Sequence, residues 1–211
     1  MAAMEKKKFF LNALIYFALF TLIIFAVSVF RGCQKNDTVI RPEVSGKDPR
    51  LGEKNAKVTI IEFGDFQCPY CDELAPIFKK LKDEYKEQLT IVWKDFPLTT
   101  VHEEALSAAQ AARCSQKQGK FWEMHDELFA NQSLLSAELY PKLSAKIGLN
   151  TDQFIDCLNN GETLSLIQKN VNEGVALGVD GTPYFYLNNY VITELMSEES
   201  LKALITTELA K

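Results

Sequence analysis

The strongest constraint on the fold is a strand, a helix and a second strand that follow one another between residues 58 and 96. Val58–Phe63 (VTIIEF) is short and rich in β-branched residues, which is typical of a buried strand. Apolar residues spaced three and four apart predict an amphipathic helix over Pro69–Lys86, and Leu89–Phe96 (LTIVWKDF) predicts the second strand. A helical crossover joins strands that run parallel, so we expect an α/β fold.

The chain after residue 101 predicts the remainder of this fold. Residues 102–178 carry helical patterns almost throughout, beginning with an alanine-rich segment. Residues 181–193 (GTPYFYLNNYVIT) predict two short strands that turn at Asn188 and Asn189, and Ser197 is placed to cap a last helix. The predicted fold class is α/β, with the order β-α-β, then an all-helical insertion after the second core strand, then β-β-α. The first part of the core, the helical insertion and the second part of the core are assigned to residues 58–101, 102–178 and 179–211.

The N-terminal segment predicts a membrane anchor. Phe9–Phe30 is 22 residues long and carries no charge, and Lys6–Lys8 precede it. Such a run is long enough to cross a bilayer, and the lysines favour an orientation that puts the following domain outside the cytoplasm. Two alternatives stay open: cleavage of a signal peptide near Ala26–Ser28 (AVS) and lipidation of Cys33. All three place the domain where disulfides form and persist.

Residues 1–31 are thus assigned to a cytoplasmic tip and a transmembrane signal anchor, and residues 32–57 to a linker and domain lead-in. Beyond residue 31 the chain has 19 Lys and Arg against 27 Asp and Glu. Because a nucleic-acid surface needs positive charge to track phosphates, this acidic balance argues against nucleic acid as a partner. The sequence contains no glycine-rich phosphate loop, and we expect no cofactor.

A C-P-Y-C motif, Cys68 to Cys71, lies between the first predicted strand and helix. A structural zinc needs four ligands, and the remaining candidate ligands lack the spacing of known zinc sites. These candidates are Cys114, Cys157, His102 and His125. A purely structural disulfide does not explain why the pair lies at a strand-to-helix junction, so thiol–disulfide exchange is the favoured chemistry.

The position of the motif at a helix start has a physical consequence for its sulfurs. Free N–H groups and the helix dipole stabilise a thiolate at Cys68, and the thiolate is the form that attacks disulfides. Cys71 follows one helical turn later on nearly the same face, so it is placed to resolve a mixed disulfide at Cys68. Pro69 suits the first helical turn, where it gives up no hydrogen bond.

Several motifs together make the chain resemble the DsbA-like branch of the thioredoxin superfamily from about residue 45 to residue 210. They are VTIIEFGDFQCPYC, WKDFPL, HEEALSAAQAARCSQKQGKFWEMHDELF and GVDGTPYFYLN, in the family's order. The resemblance implies a thioredoxin-like core with a helical domain inserted after the second strand. It also implies catalysis of thiol–disulfide exchange on reduced or unfolded extracytoplasmic proteins, with Cys68 as nucleophile and Cys71 as resolving cysteine.

The resemblance assigns roles to further residues. Pro183 matches the family's cis-proline beside the active site, and the backbone of Thr182 is then placed to pair with an extended substrate. Pro69 and Tyr70, between the cysteines, are expected to contact substrate. Glu62 matches the family's buried acid, which implies a raised pKa and proton relay to Cys71; the alternative is an outward-facing acid on an edge strand.

Two remaining cysteines, Cys114 and Cys157, lie on predicted helices of the insertion. Subsets of the family place a second, structural disulfide at such positions, and an oxidising compartment favours that bridge over two buried free thiols. His102, His125 and Trp122 are interpreted as core or capping residues rather than as catalytic ones, because His125 shares an apolar helical face with its neighbours.

The direction of electron flow stays open at this stage. The family implies an oxidant that a quinone-linked membrane partner reoxidises, and a monomer is expected. However, Pro-Tyr between the cysteines also occurs in reducing and isomerising relatives, and tyrosine replaces the histidine of the best-known oxidant. A reductase or isomerase, and a non-catalytic surface binding or chaperone module, are the alternatives.

Overall fold

A computed structural model describes residues 40–211. The predicted anchor, the alternative cleavage site, Cys33 and the first part of the predicted linker lie outside the described residues. None of the helices within residues 40–211 combines the length and the apolar character needed to cross a bilayer.

A five-stranded mixed sheet organises the described domain. Its strands are β1 Arg50–Leu51, β2 Val58–Gly64, β3 Leu89–Asp95, β4 Tyr184–Leu187 and β5 Tyr190–Ile192. They are arranged in the order β1-β3-β2-β4-β5. The central strands β2 and β3 run parallel, and the other neighbours are antiparallel. The parallel pair follows from the helical crossover, and its strands are apolar because helices cover both faces.

Seven α-helices complete the domain within the described residues. They are α1 Pro69–Tyr85, α2 Ala105–Gln116, α3 Phe121–Ala130, α4 Leu139–Lys146, α5 Thr151–Asn159, α6 Leu164–Ala176 and α7 Glu198–Leu209. The helix α1 connects β2 to β3, and α2 to α6 lie between β3 and β4. The predicted fold class, a core of β-α-β and β-β-α interrupted by a helical insertion, is therefore confirmed.

Three apolar clusters hold the layers together. One packs the β2, β3 and β4 side chains of one sheet face against α1 and α7, and it includes Ile60 and Phe78. The second lies on the opposite face against α6, where the ring of Phe96 leaves no room for a side chain on Gly174. The third is the core of the insertion, and it also contains Cys68 and Cys71. The two thiols therefore lie where the insertion meets the sheet.

The lead-in to the domain differs from the predicted linker. Arg50 pairs with Val92 at the edge of the sheet, so β1 is an integral strand. Just before it, Asp48 is 5% exposed and accepts a hydrogen bond of 2.9 Å from Nζ of Lys94, which is 2% exposed. A two-residue strand is too short to show periodicity, and a buried lysine needs a counter-charge. The lead-in is held in place because it supplies that charge.

The predicted turn and helix start of the C-terminal part are confirmed. Asn188 has a φ of 48°, which the turn between β4 and β5 requires. Ser197 caps α7 by accepting a hydrogen bond from the backbone N–H of Ser200.

Candidate active site

The active-site turn, residues 65–68, joins the end of β2 to the start of α1. The chain enters this turn at Gly64, where only glycine fits against Trp93, because a Cβ atom there would lie 2.3 Å from the Trp93 ring. Cys68 is the N-cap residue of α1 and Pro69 is its first residue. The N–H of Cys68 donates to the carbonyl of Asp65 over 3.1 Å. The cysteine pair therefore lies at the start of a helix, as predicted.

Asp65 stabilises this turn, although it was not among the site residues predicted from the sequence. Its buried carboxylate accepts hydrogen bonds from the backbone N–H groups of Gln67 (2.7 Å) and Leu98 (2.9 Å). It also lies 2.8 Å from Nδ1 of His102. His102, interpreted from sequence as a core or capping residue, thus contacts the active-site turn through Asp65. An acid three residues before a cysteine at a strand-to-helix junction is the signal that points to such a role.

The two thiols of the pair have opposite acidities. Both are reduced in the structure; Cys68 is 3% exposed, and Cys71 is fully buried. A hydrogen bond from the Cys71 thiol, then a contact with Thr182 and last the backbone N–H groups of Cys71 and Tyr70 lower the pKa of Cys68 to about 5, although burial opposes this. Burial, the hydrogen bond to Cys68 and the negative charge at Glu62 raise the pKa of Cys71 well above its ordinary value. At neutral pH the site therefore holds a thiolate at Cys68 and a thiol at Cys71.

The loop before β4 lies directly against Cys68. The peptide bond between Thr182 and Pro183 is cis, and Sγ of Cys68 lies 3.2 Å from the carbonyl oxygen of Thr182. Thr182 and Pro183 line a groove of about 300 Å³ together with Tyr70 and Leu195. Tyr70 is 56% exposed, and Leu195 is 42% exposed. An open groove with two exposed apolar side chains is thus adjacent to the thiolate.

Glu62 lies under the active site rather than at an edge of the sheet. It is 3% exposed on β2, between Trp93 of β3 and Phe185 of β4. Side chains alternate along a strand, so Glu62 shares with Ile60 the face that α1 covers. It also lines a cavity of about 310 Å³ whose walls include Trp122 and Ala75. The outward-facing alternative does not describe this residue.

Burial, and after it the charge at Cys68, raises the pKa of Glu62 to about 8. The folded protein therefore holds this proton more tightly than the unfolded chain, where the ordinary value is 4.5. The contribution of Glu62 to stability is complete below pH 4.5 and is lost as the pH rises through about 8.

The other two cysteines and His125 lie in the core of the insertion. Cys114 of α2 and Cys157 of α5 form a disulfide, with Cα atoms 5.9 Å apart. The ring of His125 lies 5.2 Å from that of Trp93 and 5.7 Å from that of Phe66, and burial lowers its pKa. His125 is thus a neutral member of an aromatic core at neutral pH.

Comparisons with known proteins agree with this geometry. A family model described as thioredoxin matches residues 44–207. The crystal structure of oxidised BdbD from Bacillus subtilis superposes with a TM-score of 0.72 at 24% identity, covering 83% of this chain and 100% of that one. Alpha-DsbA1 from Wolbachia pipientis gives a TM-score of 0.70 at 21% identity, with 79% and 93% covered.

A curated relative, the Na(+)/H(+) antiporter NhaA 3 of Salinispora tropica, is 36% identical over 142 residues. The match covers 67% of this chain but only 22% of the antiporter, so the chain spans about a fifth of that relative's length. The likeness is thus confined to one part of the larger protein. Since the family model covers more than half of the chain, the chain belongs to the thioredoxin family.

Proposed function

We propose that this protein introduces disulfides into reduced proteins outside the cytoplasm, using Cys68 and Cys71 as its redox pair. The observation that carries the proposal is the opposite protonation of the two sulfurs at one helix start. A Cys68 with a pKa of about 5 is stable as a free thiolate, which favours the reduced form of the pair. A protein whose reduced form is stabilised readily accepts electrons from other thiols.

The reaction begins with the oxidised pair. A substrate thiolate attacks Sγ of Cys68, the Cys68–Cys71 bond breaks, and Cys71 leaves with the electron pair and takes up a proton. The substrate's second thiolate then attacks the substrate sulfur of the mixed disulfide. Cys68 leaves as a thiolate, which its low pKa favours. The substrate has lost two electrons, and the pair has gained them.

The groove beside Cys68 suits an extended polypeptide as substrate. We propose that the backbone of Thr182 pairs with such a segment, and that Tyr70 and Pro183, which also line the groove, contact its side chains. Pro69, exposed at the first position of α1, adds to this surface. We propose that a quinone-linked membrane protein reoxidises the pair, because the reduced Cys68–Cys71 pair must give up its two electrons before it can oxidise another substrate. We also propose that the protein acts as a monomer.

Location outside the cytoplasm is supported by the disulfide between Cys114 and Cys157, since such bonds are rare in reducing compartments. We further propose that Phe9–Phe30 anchors the protein as an uncleaved single span. A chain that begins near Val29 and leaves the membrane fraction on carbonate extraction would refute the anchor.

The reduction potential of the Cys68–Cys71 pair tests the proposed direction. Equilibration with glutathione buffers should give a value near about −120 mV for an oxidant, whereas a value near about −270 mV would make the protein a reductant. A non-catalytic binding or chaperone module predicts instead that Cys68 has an ordinary pKa near about 8.5. Alkylation of Cys68 as a function of pH separates that third possibility from the first two.

Glu62 is proposed to relay the proton that Cys71 gains and loses. Replacing Glu62 with Gln should slow reduction of the pair at pH 7 by about tenfold or more, because a general acid is lost from a buried site. Stopped-flow mixing of the oxidised protein with a dithiol peptide measures this rate. Glu123→Gln is the matched control, since Glu123 lines the same cavity. Equal rates for the Glu62 variant and the wild type at pH 7 would exclude the relay.

A further inference from the structure

Contacts with the helical insertion help to hold the active-site turn. Asp65 accepts hydrogen bonds from Leu98 and His102, as described above, and the side-chain oxygen of Gln67 accepts one of 2.7 Å from the N–H of Glu104. The ring of Phe66 is stacked on Trp93 and lies 5.2 Å from that of Phe129 on α3. Each residue of the turn before Cys68 therefore contacts the insertion or the segment that leads into it.

Gln132 is the residue of the insertion that contacts the peptide of the nucleophile itself. Its side-chain Nε2 donates to the carbonyl oxygens of both Phe66 and Cys68, each over 3.0 Å. Gln132 begins a 3-10 turn directly after α3. Asn131 fixes that junction, because its side chain donates to the carbonyl of Glu127 over 2.8 Å.

The carbonyl of Cys68, one of the two that Gln132 contacts, is also the first hydrogen-bond acceptor of α1. It accepts the N–H groups of Cys71 and Asp72, each over 3.2 Å. The orientation of this peptide sets where the first N–H groups of α1 point, and those of Tyr70 and Cys71 contribute to the acidity of Cys68. A donor that binds two carbonyls of the turn, on either side of Gln67, limits rotation of the backbone between them.

We propose that Gln132 is a positioning residue for thiol–disulfide exchange, which acts by holding the carbonyls of Phe66 and Cys68 so that the first turn of α1 points its N–H groups at the Cys68 sulfur. The inference rests on the proposed function in taking Cys68 as the nucleophile. It adds that the insertion, 64 residues away along the chain, helps to set the reactivity of that nucleophile.

Gln132→Met tests the inference, because it keeps the length of the side chain and removes the donor. Alkylation of Cys68 by iodoacetamide, followed by mass spectrometry across pH 4 to 9, should be about fivefold slower than wild type at pH 5, the loss that one pKa unit produces. At pH 8.5, where Cys68 is ionised in both proteins, the rates should agree.

Gln118→Met is the matched control. Gln118 is also a half-buried glutamine of the insertion that donates to a backbone carbonyl, that of Asn150, over 3.1 Å. This control should lose stability without changing the pH profile of alkylation. If Gln132→Met does not fold, Gln132→Asn replaces it, since its shorter side chain cannot reach both carbonyls. If a folded Gln132 variant shows the wild-type pH profile of Cys68 alkylation, the inference about Gln132 is wrong and the proposed function still stands. If Cys68 of the wild-type protein is alkylated slowly at pH 5, the proposed function is wrong.

Discussion

Replacing Cys71 with alanine is expected to convert the protein into a trap for its substrates. The remaining Cys68 still forms mixed disulfides, but no second sulfur is present to release them, and disulfide transfer to substrates stops. Complexes linked through Cys68 should accumulate in expressing cells, appear on non-reducing gels and disappear on reduction. Their mass-spectrometric identification would name the substrates.

The trap should work best above neutral pH. The Cys71 thiol is the largest cause of the low pKa of Cys68, so its removal shifts the formation of the Cys68 thiolate to higher pH. A second variant, Cys68→Ala, is the control and should capture nothing, because Cys71 is fully buried and has a raised pKa. Exchange by way of Cys68 is wrong if the Cys71 variant captures no protein at pH 8, or if the Cys68 variant captures as much.

Replacing both Cys114 and Cys157 with alanine should lower stability strongly while leaving the chemistry nearly intact. The bridge spans 43 residues of sequence, so in the chain-entropy model its loss costs about 4 kcal/mol. For a domain of this size that corresponds to a fall in Tm of roughly 10 °C. The rate of thiol exchange at 25 °C should stay within a few-fold of wild type, because Cys114 and Cys157 stiffen the insertion and do not touch the reacting sulfurs.

Calorimetry of both proteins with the Cys68–Cys71 pair reduced isolates the effect of the second bridge. Strong reductant that opens this bridge should lower the Tm of the wild type towards that of the double variant, and it should leave the variant unchanged. A double variant with the wild-type Tm would mean that the bridge adds no stability. One with little exchange activity at 25 °C would mean that the bridge also organises the active site.

The parts of the fold that could be predicted from sequence are those with a local signal. The helix α1 is amphipathic over 17 residues, and β2 is a mostly apolar, β-branched run that contains one acid, Glu62. Asn188 marks its turn by residue type alone. Such features need no knowledge of distant residues, because backbone geometry and periodicity determine them.

The features that sequence analysis missed depend on partners far apart in the chain. Lys94 lies in a predicted strand, and it is buried there because Asp48, 46 residues earlier, supplies its counter-charge. Asp65 meets His102 across 37 residues, and Gln132 meets Cys68 across 64. The spacing of apolar residues along the sequence does not indicate such long-range contacts. For the same reason the sequence located the two sulfurs but not the residues that hold the turn around them.

The opposite protonation of the two neighbouring thiols links the electron affinity of the protein to the acidity of its surroundings. Reduction adds two electrons to the pair, but at neutral pH only Cys71 takes up a proton, since Cys68 has a pKa of about 5. A couple that gains one proton for two electrons changes its potential by about 30 mV for each pH unit. Glu62 steepens this dependence, because the Cys68 charge that helps to raise its pKa exists only in the reduced pair. A cell that acidifies its exterior would therefore strengthen this protein as an electron acceptor without any change in its structure.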